Sequence, residues 1–211
     1  MEKLRELKTI WQNALLDKSY RARLSITIVL LTIVLFFLAK FLAFNEKRLG
    51  FSFNDPFLSL FEPINVTWLT FGLIYIAIIL GLLFLASNPS RILLVLQSYT
   101  LVAALRLITI YFLPLNAPHH IIPLKDPFVE FFGGGETLLR DLFFSGHTST
   151  MFLLFLVSKK KILKITFLIC SILVASCVLV QHVHYTIDVI AAPFFAYTCY
   201  RIARLINRKK K

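Results

Sequence analysis

Charge is scarce in this 211-residue chain: Asp, Glu, Lys and Arg together make up 16% of it, against 58% hydrophobic residues, and the mean hydropathy is +0.77. A soluble domain of this length has no room to bury so much apolar surface. Lipid is the solvent that fits, and there a spanning helix takes about 20 mostly apolar residues. Cysteine is scarce too. The three present, Cys170, Cys177 and Cys199, are odd in number, lie inside apolar segments and match neither a zinc spacing nor a disulfide framework. They read as small packing residues. Acidic residues number only 11 against 23 Lys and Arg, a net charge of +12. That excess does not point to nucleic acid, because the basic residues stand in short clusters between apolar runs, with no basic patch interleaved with exposed aromatics. No small-residue cleavage pattern follows the first apolar run, so a retained helix is expected there rather than a signal peptide. Nothing marks an internal repeat or a separate soluble domain.

What is present is a series of apolar runs. Leu4, Leu7, Ile10, Trp11 and Leu15 recur at helical spacing among charged residues, which predicts an amphipathic helix on the membrane surface with Trp11 at headgroup level. Six spans are expected after it, near residues 24–44, 67–86, 92–113, 142–158, 162–181 and 186–205. The fourth departs from plain hydropathy, since its first half carries Ser145, Gly146, His147, Thr148 and Ser149. With six spans, seventeen Lys and Arg fall on the side of the termini and five on the other. The positive-inside rule then puts both termini in the cytoplasm. The expected fold class is therefore all-α, a polytopic bundle of six transmembrane helices. It divides into a cytoplasmic amphipathic segment (1–23), a membrane catalytic domain (24–205) and a basic tail (206–211). Of the two long outer segments, 45–66 contains Asp55-Pro56 and several apolar residues that fit a short interfacial helix. Segment 114–141 holds Pro118, Pro123, Pro127 and Gly133-Gly134-Gly135, and should be irregular.

Polar residues gather on the outer face. All five histidines, His119, His120, His147, His182 and His184, lie there or at outer helix ends, with eight of the eleven acids. Arg106 falls inside the third span, where a charge costs about 2.5–3.5 kcal/mol on insertion scales. It reads either as functional or as a snorkelling or bundle-internal ion pair. His184 and Asp188 are four residues apart at the start of the last span, so one helical turn would stack them on one face. A carboxylate on one imidazole nitrogen fixes the tautomer and leaves the other as nucleophile or base. Ser145-Gly146-His147-Thr148 opens the fourth span on the same side. A helix N-terminus there offers free N–H groups to an anion, with His147 placed to protonate a leaving oxygen and Arg106 to add a guanidinium fork. One phosphate-like ligand accounts for all of them. A metal site of His182, His184, His147 and Asp188 is the chemical rival, although His182-x-His184 would suit a strand and no cysteine joins it.

At these residues the chain resembles the type 2 phosphatidic acid phosphatase superfamily, and within it the sphingomyelin synthase-like branch. Asp141-Leu-Phe-Phe-Ser-Gly-His147-Thr148 is similar to that branch's Asp-x3-Ser-Gly-His-Thr motif, and His184-Tyr185-Thr186-Ile187-Asp188-Val189 to its His-Tyr-Ser/Thr-x-Asp-Val motif. The resemblance implies a six-helix membrane domain with its site on the exoplasmic face. It implies that His184 attacks phosphorus to give a phosphohistidine, that Asp188 orients it, and that His147 protonates the departing alkoxide and later serves as base. Ser145, Gly146, Thr148, Arg106 and Arg140 would hold the phosphate, with Asp141 and Tyr185 in support and Lys125 a further cation. Glu136, Tyr185 and Gly133–Gly135 would shape the acceptor side. The partners implied are the bilayer, a phospholipid donor and a lipid or water acceptor, with no nucleic acid, cofactor or metal; oligomeric state is left open. The phosphatases' first signature is absent and their third lacks its Ser-Arg, so two phosphate-binding cations are missing. The chain has no Arg-Pro dipeptide, and Cys177-Val178 stand where the phosphatases have Ser-Arg. Arg106-x2-Thr109 with Leu113-Pro114 resembles the synthase-like branch instead. Transfer of a headgroup phosphate to a lipid hydroxyl is thus the expectation, with lipid phosphate hydrolysis as the alternative.

Overall fold

The computed structural model describes residues 2–126 and 137–208, so Pro127, Gly133–Gly135 and Glu136 lie outside the described residues. Seven α-helices make up the described chain: α1 (Glu2–Leu16), α2 (Lys18–Asn45), α3 (Thr67–Leu85), α4 (Pro89–Phe112), α5 (Gly146–Val157), α6 (Lys161–Val180) and α7 (Thr186–Ile206). Their starts follow local chemistry. Asp17 accepts the Ser19 N–H ahead of α2. Asn88 accepts that of Arg91, with Pro89 in the first turn of α4. Ser145 accepts that of Thr148 at the head of α5. Each cap satisfies an N–H that the helix cannot, and a first-turn proline gives up none that is needed.

Helices α2, α3, α4, α6 and α7 are long and apolar enough to cross a membrane. Helix α5 has 12 residues, a rise of about 18 Å against a hydrocarbon core of about 30 Å. Residues 142–145, expected at the start of that span, are not helical. The segment reaches its helix only at Gly146 because the Ser145 side chain is spent on the cap. Segment 45–66 forms only one short 3-10 turn, Leu58–Leu60, where an interfacial helix was expected. Its Asp55-Pro56 start favours a turn.

Helices α2 to α7 alternate in direction. Tyr20 at the start of α2 donates to the Pro89 carbonyl at the start of α4, and Arg48 just past α2 donates to the Tyr111 carbonyl near the end of α4. Gln97 of α4 meets Asn207 beyond α7. Helix α1 lies at the Pro89 end, where the Trp11 indole N–H donates to the Ala86 carbonyl at 2.8 Å.

The bundle is inside-out relative to a soluble protein. Ile26, Val29, Ile33, Phe36 and Phe37 of α2 and Ile162, Ile165, Ile169 and Ile172 of α6 are exposed, which is the surface an integral membrane protein presents. Its interior is built from close helix contacts rather than from bulk. Ala192, Ala196, Cys199 and Ala203 form a buried row along α7, the first three packed with Val102 of α4 and Leu153 of α5. Small residues let backbones approach where lipid supplies no hydrophobic drive. At Gly81 of α3 a Cβ would stand 2.9 Å from Leu154 of α5.

The segments at the other end pack as one layer. Phe51 and Leu115 form an isolated parallel bridge, and a Cβ on Gly50 would come within 2.8 Å of the Leu115 backbone. Gln181, fully buried, takes the Val66 N–H on its carbonyl oxygen at 3.0 Å. Its amide donates to the Thr67 hydroxyl and the Ile122 carbonyl at 2.9 and 3.1 Å. One side chain thereby ties the end of α6 to both long outer segments.

Candidate active site

Helices α5 and α7 begin side by side, because the Ser145 N–H donates to the Asp188 backbone carbonyl at 3.1 Å. That bond sets the SGHT segment against the HYTID segment across a sequence gap of some forty residues. The His147 and His184 rings lie 6.1 Å apart, centroid to centroid.

His184 does not sit on the helix with Asp188, as the spacing predicted. Helix α7 starts at Thr186, and the pair meets through the helix cap. Asp188 occupies the third helical position and its carboxylate reaches back: Oδ2 accepts the Tyr185 N–H at 3.2 Å and lies 3.4 Å from His184 Nδ1. Both side chains are buried. With Nδ1 facing the carboxylate, Nε2 is the nitrogen left for chemistry. Oδ1 of Asp188 has no partner among the described residues, and neither do Nδ1 of His147 and Oγ1 of Thr148. Such buried, unpaired polar atoms are uncommon.

Arg106 is 5% exposed and lies directly beneath the N-terminus of α5. Nη1 donates to the Phe144 carbonyl at 2.9 Å and Nη2 pairs with Asp141. The space it fills belongs to position 146, where a Cβ would lie 2.1 Å from Nη1. Glycine is required here to admit the guanidinium, a reason more specific than general backbone approach to an anion. Thr109, one turn along α4, donates to the carbonyls of Arg106 and Phe143 at 3.1 Å each. The Arg106-x2-Thr109 spacing thus ties α4 to the segment before α5.

Of these residues, Arg106, Asp141, Gly146 and His147 line a cavity of about 310 Å³, while His184 and Asp188 stand behind His147 and are not part of its lining. Arg106, Asp126, Asp141 and His147 are among its polar lining residues, with the Gly146 backbone. Phe71, Ile74 and Ile78 of α3, Tyr99 and Val102 of α4 and Leu38 of α2 line the rest. Asp126 receives a hydrogen bond from the Tyr75 hydroxyl, also in the wall. Phe71 stands edge-on to His147, centroids 6.2 Å apart. The lining is amphipathic, with one guanidinium and two carboxylates beside apolar and aromatic side chains.

Other expected residues go elsewhere. Arg140 does not line the cavity. Its N–H and guanidinium are bound to Glu46 and to the Arg48 carbonyl, and its own carbonyl accepts from Asn45. Tyr185 is buried against the outer layer, stacked on Phe53 at 4.0 Å with its hydroxyl on the Asn116 carbonyl. Ser145 and Thr148 are joined by the cap and shape the turn. His119, His120 and His182 line a separate cavity of about 360 Å³ with Asp55 and Glu62. Among the described residues no group of His, Cys, Asp or Glu has the arrangement of a metal site. Two residues outside the cavity gave no sign of these partners in the sequence: Asp55, bonded to Thr186, and Gln181, which ties Val66, Thr67 and Ile122 together.

Residues 140–205 match the family model described as PAP2 superfamily C-terminal. The matched stretch contains both SGHT and HYTID, and supports the PAP2 superfamily for this chain. No curated protein matches it, and no solved structure does.

Proposed function

We propose that the protein is an integral membrane phosphotransferase of the sphingomyelin synthase-like kind. It would move a phosphoryl group or phospho-headgroup from a phospholipid to a lipid hydroxyl through a phosphohistidine. Members of the PAP2 superfamily are phosphatases and phosphotransferases, and a bundle of membrane-length helices around the site fits lipid substrates. One observation carries the reading: the ring of His184, backed by Asp188, stands 6.1 Å from that of His147, which with Arg106 lines a cavity of mixed polar and apolar walls.

In the first half-reaction the Nε2 lone pair of His184 attacks phosphorus and an N–P bond forms. The P–O bond to the lipid breaks, and its electron pair leaves on the oxygen, which His147 protonates. In the second, His147 takes the proton of an acceptor hydroxyl, whose oxygen attacks phosphorus, and the N–P bond breaks back to His184. Asp188 holds the imidazole in one tautomer and supports its positive charge. Arg106 and the α5 N-terminus stabilise the phosphoryl oxygens.

The same first half-reaction followed by water would be hydrolysis. The apolar part of the cavity wall, Phe71, Ile74, Ile78 and Val102, fits a lipid acceptor. Phospholipid carrying a labelled headgroup phosphate, incubated with ceramide or diacylglycerol, separates the outcomes: label moves into a second lipid in transfer and into water in hydrolysis. Label remaining wholly in the donor would count against both.

The topology belongs to the same proposal. Both termini lie in the cytoplasm, α2 to α7 make six crossings with the short α5 completing its crossing through residues 142–145, and the site opens on the exoplasmic face. The amphipathic 1–23 and basic 206–211 segments flank the catalytic 24–205.

A further inference from the structure

The first turn of α7 is gripped by two carboxylates. Asp188 holds it from inside through the Tyr185 N–H. Asp55 holds it from outside, from a loop 131 residues away. Its Oδ2 accepts the Thr186 N–H at 2.6 Å, and its Oδ1 accepts the Thr186 hydroxyl at 3.0 Å. Oδ1 also receives the N–H groups of Phe57 and Leu58, at 3.0 and 3.4 Å. Asp55 is 7% exposed. Among the described residues no ion pair is recorded for it. Its charge is carried by four N–H and O–H donors and by the positive end of α7.

A buried carboxylate is costly unless its oxygens are fully engaged, and here both are engaged around one residue. That residue, Thr186, stands two positions after His184 and two before Asp188. Pulling on Thr186 sets where helix α7 starts. The start of α7 in turn sets where the Asp188 side chain meets His184, and where the Asp188 carbonyl meets Ser145. The Phe53–Tyr185 stack, at 4.0 Å, presses the same loop against the same turn.

We propose that Asp55 is a positioning residue for His184, acting through Thr186 to hold the nucleophile's imidazole in line with His147. The assignment rests on the phosphohistidine reading for its kinetic consequence. The clamp itself can be read without turnover.

Asp55→Ala removes the acceptor. Thr186→Pro removes both donors from the other side and suits the first helical position, where a missing N–H is tolerated. Tyr185, at φ −69° and ψ 154°, already has the backbone a residue before proline needs. Each variant, purified in detergent as the full chain, should lose at least tenfold in kcat with KM changed less than threefold. The double variant should be no worse than Asp55→Ala, which already cuts the link to Thr186. Thr186→Ser, which keeps both donors, should restore kcat to within about twofold of the parent.

The second readout is carbethoxylation of His184 by diethyl pyrocarbonate, followed by peptide mass spectrometry. Loosening the turn should raise the rate at His184 several-fold in both single variants. Should Asp55→Ala fail to fold, Thr186→Pro and Thr186→Ser carry the comparison. The proposal is overturned if the folded variants keep kcat within twofold, or if His184 labelling stays at the parent rate. A parent protein with no transfer or hydrolysis would instead defeat the functional reading, and the labelling rates would still decide the clamp.

Discussion

The Arg106 guanidinium occupies the space that a side chain at position 146 would fill, with Nη1 only 2.1 Å from where a Cβ on Gly146 would stand. The glycine of the SGHT segment and an arginine forty residues earlier are therefore one structural unit. Gly146→Ala forces the guanidinium out from beneath α5, where it bridges Phe144 and Asp141. Turnover should fall by a hundredfold or more, comparable to loss of one preorganised oxyanion donor. Arg106→Ala should cause a similar loss. Combining the two should add little, and multiplicative losses in the double variant would show that the residues act separately.

His184→Ala should abolish turnover while leaving a folded, membrane-inserted protein, because the side chain's recorded partner is Asp188. His147→Ala should do the same through loss of proton transfer. Labelled donor quenched in alkali should leave phosphate on His184 of the parent protein and none on His184→Ala. Full activity in both variants would end the catalytic assignment.

Asp188→Asn keeps the shape of the cap but weakens the hold on His184 Nδ1, and leaves the imidazole free to take the wrong tautomer. We expect a loss of about 10³–10⁴ in kcat, the scale seen when the carboxylate of a triad is made neutral. KM should change little. A loss confined to KM would mean that Asp188 shapes binding rather than the nucleophile.

Gln181→Leu should be costly to stability and not to chemistry. It strands the Val66 N–H, the Thr67 hydroxyl and the Ile122 carbonyl in a half-buried layer, where water reaches them only in part. Each buried unpaired group costs about 1–3 kcal/mol. A drop in the detergent unfolding midpoint of several degrees, with kcat of the surviving folded fraction near the parent's, is the expected result.

Burial raises the carboxyl pKa of Asp55, but hydrogen bonds from Thr186, Leu58 and Phe57 outweigh it and hold the group below its ordinary value. A lowered folded-state pKa means stabilisation that is complete above the ordinary carboxylate range and is lost as pH falls through the lowered value. The difference in melting temperature between the parent and Asp55→Asn should thus be widest near neutral pH and close on acidification. A difference that grows toward acid would contradict the sign.

Much of the helical layout was legible because lipid leaves a chain few choices: with no water to satisfy the backbone, apolar runs of membrane length become helices. The run expected over 67–86 is α3 (Thr67–Leu85), and that over 92–113 is α4 (Pro89–Phe112). The polar residues at the head of the fourth run pointed to the candidate site, since SGHT buries poorly in lipid without partners. The same residues delayed its helix to Gly146. The His184–Asp188 contact was also anticipated, but by the wrong local geometry, because a capping carboxylate at the third helical position can reach back to a residue outside the helix.

The amino-acid sequence by itself determined the membrane-protein composition, the order of the apolar helices and the two motifs that bring His147, His184 and Asp188 into question. Only the tertiary structure shows Arg106 lining the cavity and Arg140 bound elsewhere. Arg106 lines the cavity because Gly146 leaves it room, while Arg140 is taken up by Glu46 and Arg48. Asp55 and Gln181 owe their roles to partners more than a hundred residues away. The physical reason is that period and polarity are properties of neighbours along a chain. A hydrogen bond between loops is decided by which helix ends the packed bundle brings together.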